Sequence, residues 1–299
     1  MTRCEQGAIC TTPVSVDPYA KPLWQVERLQ ETIKVLFFTD PICSHCWALE
    51  PAWRKFSTMY GGQLETLYLH GGLLPGWKGF SDAGNGISKP ADVAVHWAEV
   101  ARHTGQPIDP SVWLNDPLDS SFPSCLACLA VRLLNPEAET RYLRSIREAV
   151  FLRAQNIARE SVLADCAEAC GLNRQVFLEA LRSKAVQQLF ASERHRMSSF
   201  GVRGFPSLLL IGPRDTVMIR GARPFADLEN ALVRAGGERM PMPSDDPLFW
   251  LQQYRQATTR ELVEASGWRP ERLMEYLLTQ QRQRLTLADA DYWSDTSTL

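Results

Sequence analysis

The pattern of apolar positions begins with an unbroken run over residues 33–38, which is typical of a strand buried on both faces. Apolar residues then recur at helical spacing over 48–59, so we expect a helix that begins at or just beyond Cys43 and ends at the glycine pair 61–62. A second apolar run covers 64–69. This order of strand, helix and strand predicts a parallel β-α-β unit with a right-handed crossover.

Helical periodicity takes over between residues 90 and 200. Separate apolar stripes predict helices over 93–101, 140–160, 161–171 and 174–181. In the second of these, Arg141, Arg144 and Arg147 are expected near the exposed side. We interpret residues 90–200 as an all-helical insertion.

The strand pattern returns after residue 200. Ser207–Ile211 predicts a buried strand led by Pro206, and Thr216–Arg220 predicts its antiparallel partner across a turn. Phe225–Ala235 predicts a closing helix. A proline is tolerated at the start of a strand, and a cis proline there would leave the preceding backbone free for pairing.

The last part of the chain follows a linker marked by Pro241, Pro243 and Pro247. Two short helices around Gly267 resemble a helix-turn-helix. Residues 241–299 carry nine acidic and six basic side chains, however, which argues against phosphate binding. We therefore expect a small helical appendage that docks on the main domain or on a protein partner.

Composition narrows the function classes. The chain has 299 residues, 45% of them hydrophobic and 22% charged, with a net charge of −2, so nothing indicates disorder or a nucleic-acid partner. No apolar run is long enough for a signal peptide or a membrane span, which makes the cytoplasm the expected location. Eight cysteines are too few for a disulfide scaffold in a chain of this length.

Candidate chemistry centres on Cys43-Ser44-His45-Cys46, between the first strand and the first helix. A cysteine at a helix N-terminus meets unpaired backbone N–H groups and the positive end of the dipole, which favour the thiolate of Cys43. Cys46 lies one turn further on, within reach of a disulfide formed at Cys43. This order favours a redox dithiol over the alternatives, half of a zinc site or two buried thiols.

Other cysteines and histidines leave alternatives open. Cys125 and Cys128 form a second CxxC inside an apolar helix, which favours buried packing over a secondary redox pair or a four-thiolate zinc site. Core packing is likewise favoured for Cys166 and Cys170, and free terminal thiols for Cys4 and Cys10. His96 and His103 have no third ligand at metal-site spacing, so no metal site is predicted. The glycine-rich segment 70–77 lacks the motifs of a phosphate loop, and we expect it to let backbone pass close to the CxxC.

The two separated α/β halves resemble the thioredoxin fold with the helical insertion of DsbA-like thiol–disulfide oxidoreductases. The matching motifs are Phe37-Phe38-Thr39-Asp40-Pro41 with Cys43-Ser44-His45-Cys46-Trp47 and Pro51, Ser121-Phe122-Pro123-Ser124-Cys125, Ser161-Val162-Leu163 with Cys170-Gly171-Leu172, and Gly201-Val202-Arg203-Gly204-Phe205-Pro206-Ser207. The resemblance covers residues 33–236. It implies a leader over 1–32, a thioredoxin domain over 33–89 and 201–236, the insertion over 90–200 and the appendage over 237–299.

The resemblance also implies roles for site residues. Cys43 would be the attacking nucleophile, Cys46 the resolving thiol, and His45 a tuning residue whose imidazole further favours the Cys43 thiolate. Pro206 would be the cis proline that faces the dithiol. Substrate contacts would come from Phe205, Trp47 and Ser44, and Ser44 replaces the proline often found in the strongest oxidants, which leaves the direction of exchange open.

In character this sequence most resembles the cytosolic FrnE-like members and the adaptors that deliver a transcription factor to a protease. Two functions follow from this resemblance. The first is a disulfide oxidoreductase or isomerase that acts on protein or small-molecule thiols and needs no cofactor. The second is a redox-sensitive adaptor that binds a protein partner through the insertion or the tail.

Overall fold

A computed structural model describes residues 32–297. Its main sheet consists of β1 (Ile33–Thr39), β2 (Leu64–His70), β3 (Ser207–Ile211) and β4 (Thr216–Arg220). The strand order is β2-β1-β3-β4, with β1 and β2 parallel and the other neighbours antiparallel. The predicted β-α-β and β-β-α halves thus meet in a single sheet at the β1–β3 pair.

Helices cover the sheet and fill the insertion. They are α1 (Ser44–Tyr60), α2 (Pro90–Thr104), α3 (Val112–Asn115), α4 (Phe122–Leu134), α5 (Glu139–Leu152), α6 (Glu160–Ala169), α7 (Arg174–Leu181), α8 (Lys184–Ser199) and α9 (Phe225–Ala235), with short 3-10 turns at Gly61–Gln63 and Pro136–Ala138. The thioredoxin fold with a helical insertion is therefore confirmed. The predicted domain boundaries remain a prediction, and the leader lies outside the described residues except for Thr32.

One hydrophobic core joins the sheet, α1 and the insertion. Trp47 on α1 stacks on Phe151 of α5 with ring centroids 5.3 Å apart, and Trp97 of α2 lies 4.5 Å from the same ring. Aromatic pairs of this kind contribute about 0.5–1.5 kcal/mol each beyond the area that they bury. The insertion is thereby packed directly against the helix that carries the CxxC motif.

The predicted small helical appendage contains a sheet as well as helices, which corrects the prediction. It contains α10 (Pro247–Tyr254), β5 (Gln256–Thr258), α11 (Thr259–Ser266), α12 (Pro270–Thr279), β6 (Arg282–Leu287) and β7 (Ala290–Ser297). The two helices around Gly267 are present, but the three strands form an antiparallel sheet in the order β5-β7-β6. Most of β6 is exposed, so it lacks the alternating apolar pattern of a half-buried strand. The hairpin turn places Ala288 and Asp289 at positive φ without the glycine that usually marks such a turn.

The appendage is held against the main domain by buried ion pairs around Glu261. This carboxylate is fully buried on α11 and accepts hydrogen bonds from Arg54 of α1 at 2.7 Å and from Arg144 of α5 at 2.5 Å. Gln106 also donates a hydrogen bond to it, at 3.1 Å. Burial opposes ionisation, but the charges of Arg144 and Arg54 outweigh it and lower the pKa of Glu261 to about 2.

No helix in the described range 32–297 has the length and apolar character that a membrane crossing requires.

We predict that Glu261→Gln lowers the free energy of unfolding by about 3–5 kcal/mol, because two arginines lose their buried partner. The mutation should also change the acid response. Since the folded-state pKa lies below the usual 4.5, this carboxylate stabilises the wild type above that pH, and the contribution is lost as the pH falls from about 4.5 to about 2. Denaturant unfolding at several pH values measures both effects. The exposed Glu271→Gln is the control, and equal stability of the two variants at neutral pH would contradict the prediction.

Candidate redox site

The CxxC motif begins at the junction of β1 and α1. Cys43 is the N-cap residue of α1, and its sulfur accepts a hydrogen bond from the backbone N–H of Cys46 at 3.2 Å. The strand leads into the helix through a tight turn, closed by the Cys43 N–H bonded to the Asp40 carbonyl at 3.2 Å. None of the described cysteines is joined in a disulfide.

The proline-led strand returns to this motif. The register of the β1–β3 pair sets Ser207 opposite Phe38, which carries the preceding residues past the end of β1 to Cys43. The Phe205–Pro206 peptide bond is cis. The Cys43 thiol donates to the Phe205 carbonyl at 3.5 Å, although 162 positions separate the two residues. Two distant parts of the sequence thus form one site.

Gly71 explains how Phe205 fits beside the site. A Cβ at Gly71 would lie 1.8 Å from the Phe205 ring, so the glycine makes room for that side chain. The Gly71 N–H also bonds to the Thr39 carbonyl at 2.9 Å. The glycine-rich segment therefore brings backbone and ring close together next to the motif.

Asp40 is the anchor of the loops around the site, a role that sequence reasoning did not assign. Its buried carboxylate accepts from the Ile42 N–H at 3.0 Å, the Leu73 N–H at 2.6 Å and the Ser121 hydroxyl at 3.0 Å, and the Cys125 thiol donates to it at 3.4 Å. Burial raises the pKa of Asp40. The side chain joins the turn before Cys43, the glycine-rich loop and the start of α4.

The pKa shifts of the two thiols differ from the expectation that the helix N-terminus favours the Cys43 thiolate. Burial, the hydrogen bond with Cys46 and the charge of that neighbour raise the pKa of Cys43. Burial also opposes ionisation of Cys46, but the Cys43 hydrogen bond, the Arg147 charge and the Thr39 hydroxyl outweigh it and lower the pKa of Cys46. A full guanidinium charge at a desolvated sulfur is stronger than the partial charge of a helix end. The lowered pKa thus belongs to Cys46, beside the guanidinium, and the raised pKa to Cys43 at the helix N-terminus.

His45, the predicted tuning residue, packs against the insertion. Its ring stacks on His96 of α2 with centroids 5.4 Å apart, and His96 Nε2 lies 3.3 Å from the Ser44 hydroxyl. Burial, together with the charge of His96, lowers the pKa of His45. Burial also lowers the pKa of His96, against the pull of Asp82 and Glu99. The dipeptide between the cysteines is thus held by the insertion through a pair of imidazoles whose charged forms are disfavoured.

Trp47 occupies a different place from the substrate contact expected of it. Its side chain is 0% exposed, and the indole N–H donates to the Pro107 carbonyl at 2.8 Å. A residue sealed between α1 and α5 cannot touch a substrate. Trp47 instead packs the CxxC helix against the insertion.

A cavity of about 250 Å³ opens beside Cys43. Its apolar wall includes Leu73, Trp77, Phe80, Val93 and Trp97, and its polar side includes Asp82, His96 and Arg203. Cys43, Ser44, His45 and Phe205 also line it, whereas Cys46 does not. The relative exposures of 5% for Cys43 and 1% for Cys46 agree with this arrangement, in which Cys43 is the sulfur that faces an entering molecule.

The remaining described cysteines lie in the insertion core. Cys125 and Cys128 are fully buried in α4, and burial raises the pKa of both. Cys166 and Cys170 are also buried, with their pKa values raised by burial. These environments keep the thiols protonated and fit the packing interpretation. Cys4 and Cys10 lie outside the described residues.

Comparison with known proteins begins with the family. The family model described as Thioredoxin matches residues 36–221. The chain belongs to the thioredoxin family. The matched range contains both the CxxC motif and the Phe205-Pro206 loop, so the two halves of the site fall within the family domain.

The names of individual relatives state two different functions. The ClpXP adapter protein SpxH of Halalkalibacterium halodurans is 30% identical over 209 residues, which is 70% of this chain and 66%, just under two thirds, of that protein. A putative protein disulfide isomerase from Nitrosomonas europaea aligns over 75% of this chain and 100% of its own, with 23% identity and a TM-score of 0.59. Cytosolic disulfide reductase DsbM from Pseudomonas aeruginosa aligns over 67% and 98%, with 23% identity and a TM-score of 0.54. At these identities the two solved structures establish the shared fold.

We predict that Asp40→Asn lowers the free energy of unfolding by about 1–3 kcal/mol, because an amide cannot accept all the hydrogen bonds that converge on the carboxylate. Loosening of the 71–74 loop should also increase the alkylation rate of Cys43. Thermal unfolding and mass spectrometry of the alkylated Cys43 peptide measure these effects. The exposed Asp119→Asn is the matched control, and an Asp40→Asn protein indistinguishable from it would refute the anchor role.

Proposed function

We propose that this protein is a thiol–disulfide oxidoreductase that exchanges disulfides through Cys43 and Cys46. The observation that carries the proposal is the position of Cys43 Sγ, which caps α1, lines an open cavity and lies 3.5 Å from the Phe205 carbonyl. A reactive sulfur next to the backbone carbonyl of Phe205 suits a substrate that approaches in an extended conformation. The dithiol needs no cofactor for this reaction.

The proposed exchange has two steps. Cys43 first loses its proton to water, and the Cys43 thiolate attacks a substrate disulfide. A Cys43–substrate bond forms, the substrate disulfide breaks, and the first substrate thiolate leaves with the electron pair. In the second step Cys46 loses its proton to water and attacks Cys43 Sγ as a thiolate, and the second substrate sulfur leaves as a thiolate that takes a proton from water. The substrate is reduced and the pair oxidised, and the reverse sequence oxidises a dithiol substrate.

The other site residues have supporting roles in this proposal. Phe205 and Pro206 would hold the substrate backbone, while Ser44 and His45, which line the same cavity, would contact groups next to the disulfide. The proposed substrates are disulfides of proteins or of small molecules. A cytoplasmic location belongs to the same proposal, and its support is the likeness to DsbM, a cytosolic disulfide reductase.

A second candidate function is that of a protease adaptor. The support is the relative named ClpXP adapter protein SpxH, which has greater sequence identity to this chain than the two oxidoreductase structures have. In this case the thioredoxin domain would present a binding surface, through the insertion or the appendage, and the dithiol would act as a redox switch. Exchange requires the Cys43 sulfur, whereas binding to a protease does not.

We predict that Cys43→Ser abolishes reduction of insulin disulfides, because the attacking sulfur is lost. Cys46→Ala should instead accumulate a covalent Cys43–substrate disulfide, which non-reducing electrophoresis detects. Cys166→Ser, in the insertion core, is the control and should retain exchange. Full activity of Cys43→Ser would overturn the proposed function.

For the adaptor candidate, we predict that purified ClpXP retains the protein on a sensor surface, and that Cys43→Ser/Cys46→Ser binds equally well. The physical reason is that both sulfurs are nearly buried, so their replacement by a similar side chain leaves the outer surface intact. Lack of binding by the wild type would eliminate this candidate.

A further inference from the structure

A charged side chain of the helical insertion lies buried next to Thr39 and Cys46. Arg147 of α5 is only 1% exposed, contrary to the prediction that it lies near the exposed side of its helix. Its Nη2 donates to the Thr39 hydroxyl at 2.5 Å, and its Nη1 donates to Glu50 of α1. Its Nε is buried without a hydrogen-bond partner among the described residues. A buried arginine thus connects the end of β1 with the helix that carries Cys46.

The donor and acceptor roles in this contact are fixed. A guanidinium has only donors, so the Thr39 oxygen must accept from Arg147. The hydroxyl hydrogen of Thr39 is then available for a second contact, and the hydrogen bond of this side chain to Cys46 favours an anionic sulfur. The result is a directed chain from guanidinium to hydroxyl to sulfur.

We propose that Thr39 and Arg147 are positioning residues that hold Cys46 as a thiolate during the mixed disulfide, so that its attack on Cys43 Sγ is fast. This inference rests on the proposed function and assigns the insertion a direct part in it. In the mixed disulfide Cys43 has no proton and no charge, so it no longer contributes to the ionisation of Cys46. Thr39, Arg147 and the backbone N–H of Asp40 then remain to favour the charged form against burial.

The attack of Cys46 on the mixed disulfide needs no reactant other than the protein, the bound substrate and water. The Cys46 thiolate donates its electron pair to Cys43 Sγ, and a Cys43–Cys46 disulfide forms. The bond between Cys43 and the substrate sulfur breaks, and that sulfur leaves as a thiolate that takes a proton from water. A burial-raised pKa at Cys46 would slow this step, because only the thiolate attacks.

The charged groups around Cys46 determine which variants can test this proposal. Arg147 faces Cys46, Glu50 and Tyr68, and Glu50 also contacts Arg144 at 3.3 Å. Removing Arg147 alone would leave Glu50 short of a partner and could unfold the protein. Glu50→Gln/Arg147→Gln removes both charges together. Thr39→Val removes the hydroxyl with nearly the same shape, and Thr39→Ser keeps it as the matched control.

The equilibrium test measures the Cys46 thiolate by its ultraviolet absorbance as a function of pH in a Cys43→Ser background, with Cys43→Ser/Cys46→Ser as the blank. We expect Thr39→Val to lower the thiolate-to-thiol ratio at neutral pH at least about threefold, and Glu50→Gln/Arg147→Gln about tenfold, which is one pKa unit. Thr39→Ser should stay within about twofold of the parent. An unchanged titration in both Thr39→Val and the double variant would overturn the proposal.

The kinetic test follows resolution in proteins that retain both cysteines. Each is mixed with glutathione disulfide, quenched with acid, and analysed by mass spectrometry for the Cys43–glutathione adduct. We expect the adduct to persist longer in Thr39→Val and in the double variant, by the same factors as the thiolate ratios. Equal adduct lifetimes despite altered titration would refute the positioning role. A wild type without any exchange, combined with a titration that shifts as expected, would refute the proposed function and support the thiolate site.

Discussion

The structure depends first on the pairing of β1 with β3. These strands are separated by most of the chain, yet their register puts the residue after Pro206 opposite Phe38 and so brings the Phe205 carbonyl to Cys43 Sγ. Nearly every residue of both strands is buried, so packing on the two faces of the sheet holds them in this register. A site built from two distant segments is therefore as precise as the sheet itself.

The insertion does more than enclose the thioredoxin domain. Its α2 supplies His96 beside Ser44 and His45, and its α5 supplies Arg147 below Cys46 and Arg144 toward the appendage. The same guanidinium groups that neutralise Glu50 and Glu261 thus link the helix that carries the CxxC motif, the insertion and the appendage. A buried charge without a partner costs several kcal/mol, so these parts are held in one arrangement by the requirement that each charge stay paired.

Much of this fold could be predicted from the sequence, because β1, β2, β3 and the insertion helices carry continuous or periodic apolar patterns. The site at Cys43 followed from the motif and from Pro206. The sequence did not reveal Arg147 or Arg144, since an arginine in a helical pattern is usually exposed and only the three-dimensional partners Thr39, Glu50 and Glu261 explain its burial. The hairpin β6–β7 was missed because its exposed strand has no apolar alternation and its turn has no glycine. Likewise, the buried position of Trp47 depends on the stack with Phe151, which no local pattern indicates.

Cys43 and Cys46 act as one redox unit in the proposed exchange, and a titration in glutathione buffers of stepped potential tests that claim most directly. Free thiols would be alkylated at each step and the cysteine peptides identified by mass. We predict that Cys43 and Cys46 lose their thiols together in one two-electron transition and form a linked peptide, while Cys125, Cys128, Cys166 and Cys170 stay reduced. Separate transitions for the two sulfurs, or a disulfide from Cys43 to any other cysteine, would contradict the claim.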